Sequence, residues 1–117
     1  MNILIVEDNL KTRKAIKRIL QKNMTEITEI IEIDDGKEAV SLYIKHHPHW
    51  VLMDISIKSQ DGLTTAAEIL AMDKEAKIVI VTMYGEAEYR EVSKSIGVRG
   101  FLLKENLFDL PDLLNRS

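Results

Sequence analysis

Apolar residues in this chain come in short runs separated by longer amphipathic stretches, and the two alternate from one end to the other. The runs are Asn2 to Val6, Thr28 to Ile33, His49 to Asp54, Ile78 to Thr82 and Gly100 to Leu103. Short apolar runs bounded by turn residues predict strands, and apolar residues at consecutive positions predict cover on both faces of a sheet. The second run differs, because Ile31 and Ile33 alternate with Glu32. One-sided burial gives such alternation and predicts an edge strand. Ile78 to Thr82 is the most β-branched run and predicts a central one.

The stretches between the runs have helical spacing. Asn9 can cap a helix to about Lys22 whose buried stripe is Leu10, Ile16, Ile19 and Leu20. Asp34-Asp35-Gly36 turns the chain into a second helix with Ala39, Val40, Tyr43 and Ile44 facing inward. A polar loop, Ser56 to Asp61, leads into a third, Gly62 to Met72, on Leu63, Ala66, Ala67 and Leu70. The fourth covers Glu86 to Ile96 and is ended by Gly97. Pro111 fits only the first turn of a fifth, so Asp109 is its expected cap and about six residues remain for it. Alternating strands and helices argue for parallel strands, and right-handed crossovers leave few topologies for five of them. The expected fold is α/β, a flavodoxin-like (βα)5 three-layer sandwich with a five-stranded parallel sheet of order 2-1-3-4-5.

Composition narrows the reading without redirecting it. A length of 117 residues with 45% apolar content fits one domain over residues 1–117, and therefore one site. Ile78 to Val81, among the longest apolar stretches, is far too short to cross a bilayer, and Met1 leads straight into a strand rather than a signal peptide. A cytoplasmic protein that does not enter the membrane is expected. The lack of cysteine removes disulfides, thiol catalysis and thiolate-zinc sites. Net charge, −3, says little, but six bases and no acid lie between Leu10 and Thr25: Lys11, Arg13, Lys14, Lys17, Arg18 and Lys22. Such a helix is usually a solvated face. Direct nucleic-acid binding is a poor alternative for an acidic chain without interleaved aromatic residues.

The chemistry sits where the strands end. Glu7 and Asp8 close the first run and Asp54 closes the third, where burial selects against charge unless the charge has work to do. In the order 2-1-3-4-5 these strands are neighbours across the switch point, and ligands bind outside the carboxyl ends of such strands. Three carboxylates brought together repel one another unless a cation lies among them, and all-oxygen ligation favours a hard ion such as Mg2+. Thr82 and Lys104 end the fourth and fifth strands on the same side. Acids, a hydroxyl and an amine match phosphoryl transfer onto a carboxylate, with one aspartate attacking. A lone strand-end aspartate is more often a turn former; here the cluster decides for function. His46-His47-Pro48-His49 precede the third strand and so fall at the opposite end from Asp54, which disfavours a shared metal.

With these residues in this order the chain resembles a receiver domain of the two-component response regulators over almost its whole length. The matching segments are Ile3-Leu4-Ile5-Val6-Glu7-Asp8-Asn9, Val51-Leu52-Met53-Asp54-Ile55, Asp61-Gly62-Leu63, Val79-Ile80-Val81-Thr82 and Gly100-Phe101-Leu102-Leu103-Lys104. The resemblance implies Asp54 as phosphoacceptor, Glu7 and Asp8 as the acid pair for magnesium, and the Ser56 backbone carbonyl as a further ligand. It implies Thr82 as switch hydroxyl, Phe101 as switch aromatic, Lys104 as the phosphoryl-contacting amine and Tyr84 as a residue bordering the phosphoryl group and setting its lifetime. The implied partners are a sensor histidine kinase or phosphotransfer protein, docking on the basic first helix, and a second copy or an output domain or protein on the helix 4, strand 5 and helix 5 face. No external substrate is turned over. Two departures affect loop shape only: Lys58 and Glu105 stand where many receivers have proline, and the second removes an expected cis bond. The stretch from Thr82 to Lys104 looks most like receivers attached to helix-turn-helix DNA-binding domains. The rivals are an aspartate-nucleophile magnesium phosphatase, which would carry Asp-x-Asp where this chain reads Glu7-Asp8-Asn9, and a receiver-like module that works without phosphorylation, which usually lacks the acceptor or the lysine. A flavin site is disfavoured because the loop after the first strand lacks a Ser/Thr-rich phosphate cradle.

Overall fold

The computed structural model describes residues 1–115. The strands are β1 (Asn2–Val6), β2 (Glu29–Ile33), β3 (Trp50–Met53), β4 (Ile78–Thr82) and β5 (Gly100–Leu103), and the helices are α1 (Leu10–Asn23), α2 (Gly36–His46), α3 (Gly62–Met72), α4 (Ala87–Ile96) and α5 (Leu110–Asn115). All strands are parallel in the order β2-β1-β3-β4-β5, as the pattern predicts, with β2 at an edge.

Alternation along each strand builds two cores. Leu4, Val6, Val51, Met53, Ile78 and Ile80 face one side, where Ala39 and Tyr43 of α2 and Ala66 and Ile69 of α3 cover them. Ile3, Ile5, Trp50, Leu52, Val79 and Val81 face the other, under Ile16 and Leu20 of α1 and Leu110 and Leu114 of α5. Nearly every side chain of β1, β3 and β4 is thus removed from water, a gain of about 1.5–3 kcal/mol for each large one, while the edge strands β2 and β5 stay mostly half-buried. No helix among the described residues is long and apolar enough to cross a membrane.

Three details depart from the pattern. Leu10 is 53% exposed, since it opens α1 at the rim of the sheet before Ile16 and Leu20 reach the core. Ile44 is 54% exposed: α2 packs on α3, β1 and β2, and this residue points away from all of them. The connection after β5 is a 3₁₀ segment, Lys104–Asp109, kinked at Asn106, so Asp109 ends that segment and the chain enters α5 already helical at Leu110. The segment's apolar pair, Leu107 and Phe108, is too short to show a period.

Candidate functional site at the carboxyl ends of β1 and β3

Parallel pairing of β1 with β3, Val6 opposite Met53, sets the next residues of both strands side by side. The Asp54 amide donates to the Val6 carbonyl at 3.0 Å and the Glu7 amide to the Ile33 carbonyl at 3.0 Å, so both acids belong to continued ladders. Glu7 is 2% exposed and Asp54 4%, whereas Asp8 points to solvent. One carboxylate oxygen from each of Glu7, Asp8 and Asp54 lies within 4.8 Å of the others. The convergence expected from the strand order is therefore real.

Lys104 Nζ closes the cluster, 2.9 Å from Glu7 Oε1 and 3.0 Å from Asp54 Oδ2. Burial lowers the ammonium pKa, but hydrogen bonds to Glu7 and Asp54 outweigh it and hold it above its ordinary value. Burial likewise pushes the Glu7 carboxyl up to about 7; Lys104 and the Asn9 amide oppose the rise and the Asp54 charge adds to it. One ammonium thus faces two buried carboxylates, with a third acid beside them. Asp54 Oδ1 is buried without a hydrogen-bond partner among the described residues. Buried carboxylate oxygens are normally satisfied, and an unmet one in an oxygen cluster fits a divalent cation.

The loop after β3 is shaped by a close approach. The Gly62 amide donates to the Ile55 carbonyl at 2.7 Å, and a Cβ at Gly62 would fall 1.8 Å from the Asp54 carbonyl oxygen. Only glycine fits. Ser56 lies exposed in this loop, and its carbonyl accepts no hydrogen bond from the described residues, which leaves it available as a ligand.

Thr82, fully buried at the end of β4, accepts from the Tyr84 amide through Oγ1 at 3.2 Å. Since Met53 pairs with Ile80, Thr82 lies at the same end of the sheet as Asp54. Tyr84 is 38% exposed and leans on Tyr89 of α4, ring centres 5.9 Å apart. Phe101 is half-buried against the α2/α3 core, with the Arg90 guanidinium 4.7 Å from its ring centre. His49 is at the other end, where the Asn2 amide donates to its Nδ1.

Sequence context groups Arg13 with the solvated bases, but its guanidinium donates to the Glu7 carbonyl at 2.8 Å and lies 3.5 Å from Glu32. Lys17 also binds Glu32, at 3.2 Å. Two of the six bases of α1 are therefore committed to β2, and Lys11, Lys14, Arg18 and Lys22 remain exposed. The signal for this is Glu32 itself, an acid alternating with isoleucines on the strand beside that helix.

The model of the response regulator receiver domain matches residues 3–116. The chain belongs to this family. As a receiver domain it is 35% identical to the chemotaxis protein CheY of Bacillus subtilis over 102 residues, 87% of this chain and 83% of that protein. It is 33% identical to the transcriptional regulatory protein PdtaR of Mycobacterium tuberculosis over 112 residues, 96% of this chain but 52% of that protein. Among solved structures, the DNA-binding response regulator of the LuxR family from Staphylococcus aureus superposes with a TM-score of 0.90 at 26% identity, covering 98% of this chain and 96% of that one. The CheY of the CheX-CheY-BeF3-Mg2+ complex from Borrelia burgdorferi gives 0.89 at 25%, covering 99% and 87%. The receiver fold and its place in two-component signalling agree with the reading from strand-end residues.

Proposed function

We propose that Asp54 accepts a phosphoryl group from a phosphohistidine of a sensor kinase or phosphotransfer protein. A carboxylate oxygen of Asp54 attacks phosphorus, the phosphorus–nitrogen bond breaks, and the electron pair leaves with the imidazole. The observation that carries the reading is Asp54 itself: buried, paired to Lys104 through one oxygen, and without a hydrogen-bond partner among the described residues at the other. Glu7, Asp8, Asp54 and the Ser56 carbonyl would hold Mg2+, which supplies positive charge to the phosphoryl oxygens when bound. The Borrelia complex pairs a receiver relative with Mg2+, which supports that choice of ion. Lys104 contacts the phosphoryl group from the β5 side, and the Thr82 hydroxyl donates to it.

Thr82 Oγ1 also accepts from the Tyr84 amide, so a hydroxyl drawn toward the phosphoryl group shifts the acceptor of that bond and the loop after β4 feels the modification. Thr82 and Phe101 are the switch pair in this reading, and the α4, β5 and α5 face carries the output to a second copy or a downstream domain or protein. Exposed Lys11, Lys14, Arg18 and Lys22 steer an acidic kinase surface toward the site. The domain modifies only itself, and a cytoplasmic location goes with the reading.

Acetyl phosphate with Mg2+ tests it by intact-mass spectrometry. One added phosphoryl group on the parent and none on Asp54→Ala is the expected result. Equal labelling of the variant, or labelling indifferent to chelator, overturns it.

A further inference from the structure

The Ser56 to Asp61 loop is fastened at two ends. Its inner end rests on Ile55 through the Gly62 amide. Its outer end rests on the turn between β2 and α2: the Lys58 carbonyl accepts from the Gly36 amide at 3.0 Å as well as from Gln60 at 2.8 Å, and Asp35 and Lys58 form an isolated parallel bridge. A Cβ at Gly36 would fall 2.6 Å from the Gln60 carbonyl oxygen and 2.7 Å from Thr65 Oγ1, so the two segments approach more closely than any side chain there permits.

Asp35 joins them with both carboxylate oxygens. Oδ1 caps α2, accepting from the Lys37 and Glu38 amides at 2.8 and 3.3 Å. Oδ2 accepts from Ser59 Oγ at 2.7 Å. The Ser59 hydroxyl is the main reason that the Asp35 carboxyl stays below its ordinary range. Ser59 holds a left-handed conformation, φ 71°, which a non-glycine residue keeps only when its surroundings favour it. The neighbouring pair of Lys58 with Asp34, 3.0 Å apart, is exposed and contributes little.

We propose that the β2–α2 turn is the outer anchor of the metal-binding loop, and that Asp35 and Ser59 are positioning residues for the divalent cation although neither belongs to its ligand set. The inference rests on the proposed role of the Ser56 carbonyl. That carbonyl lies between the two anchors, two residues before Lys58, and the Asp35–Ser59 bond adds to the Gly36–Lys58 backbone bond in holding it, so losing the side-chain bond loosens its placement.

Two variants remove the Asp35–Ser59 bond and keep the backbone bond from Gly36 to Lys58. Ser59→Ala deletes the hydroxyl, and Asp35→Ser keeps a good helix cap while losing the second oxygen. Mg2+ is titrated onto the whole chain and the rise in melting temperature followed, because an ion that binds only the folded state stabilises it by mass action. Each variant should need about three- to tenfold more Mg2+ for half its maximal effect, the range of one hydrogen bond. Melting temperatures in chelator should stay near the parent's. The double variant should lose no more than either single one, since all three lack the same bond. A parent that responds to Mg2+ beside variants that match it, or single losses that multiply in the double variant, overturns this proposal alone. A parent indifferent to Mg2+ overturns the functional reading and this proposal together.

Discussion

The two flanks of the site are built differently. On the β1/β3 flank the acids continue strand ladders, Gly62 pins the loop against Asp54, and α1, α2 and α3 each begin with a side-chain cap from Asn9, Asp35 or Asp61. On the β4/β5 flank the connection from Met83 to Glu86 is exposed, Met83 at 68%, and Glu86 precedes α4 without a side-chain cap bond. Among the described residues one hydrogen bond, from the Tyr84 amide to Thr82, ties that connection to the site. In the proposed reaction, rigid placement suits groups that would meet a reacting phosphorus, and low local stability suits an element that would rearrange afterwards.

A glycine on each flank gives the sharpest break. Gly62→Ala should destabilise by more than about 4 kcal/mol or prevent folding, because its Cβ meets fixed backbone. Gly85→Ala, whose Cβ would meet the end of the Leu103 side chain at 3.1 Å, should cost no more than about 1 kcal/mol. Urea midpoints decide, and equal losses would erase the distinction.

Glu7 gives the next largest effect. Its carboxyl goes from an ordinary 4.5 to about 7 on folding, chiefly through burial, so the folded chain holds that proton more tightly than the unfolded one. In chelator, stability should therefore fall as pH rises from about 4.5 through 7, by at most about 3 kcal/mol, and level off above. Glu7→Gln should flatten that slope, and Asp8→Asn should raise the melting temperature while abolishing the response to Mg2+. A parent whose stability rises over this window would show that burial does not raise the Glu7 carboxyl on folding.

The caps separate the flanks more gently. Asp61→Ala should cost about 1 kcal/mol and Glu86→Ala less than about 0.5 kcal/mol. Comparable losses in thermal unfolding would mean that α4 is held as firmly as α3.

Smallest is Tyr84, whose ring on the loose flank hinders attacking water in the proposed reading. Tyr84→Ala should shorten the phosphorylated half-life about threefold, ~0.7 kcal/mol of barrier, with the rate of phosphorylation unchanged. Phosphate release follows it, and identical half-lives would leave Tyr84 as a loop residue packed on Tyr89.

How legible each flank is in the sequence follows from the same contrast. Strand-end acids stand out because a charge breaks an apolar run, so Glu7, Asp8 and Asp54 can be found without seeing them meet. Helix stripes are legible in their centres, Ile16 with Leu20 and Ala39 with Tyr43, and fail at Leu10 and Ile44, where periodicity does not say how far a neighbouring layer extends. The link from Asp35 to Ser59 joins two polar loops 24 residues apart and leaves no periodic trace. Nor does the contact of Arg13 with the Glu7 carbonyl, which depends on a helix crossing a strand end.

The pairing of Lys104 with Asp54 spans 50 residues and brings the last strand to the first and third. A chain still being synthesised has all three carboxylates, at positions 7, 8 and 54, well before it has the ammonium that pairs with two of them. Strands β1 to β3 can dock early, but their acids then face one another without that internal counter-charge. Arrival of Lys104 behind β5 supplies that counter-charge, so the stability of the last strand is coupled to that of the first and third through one ammonium.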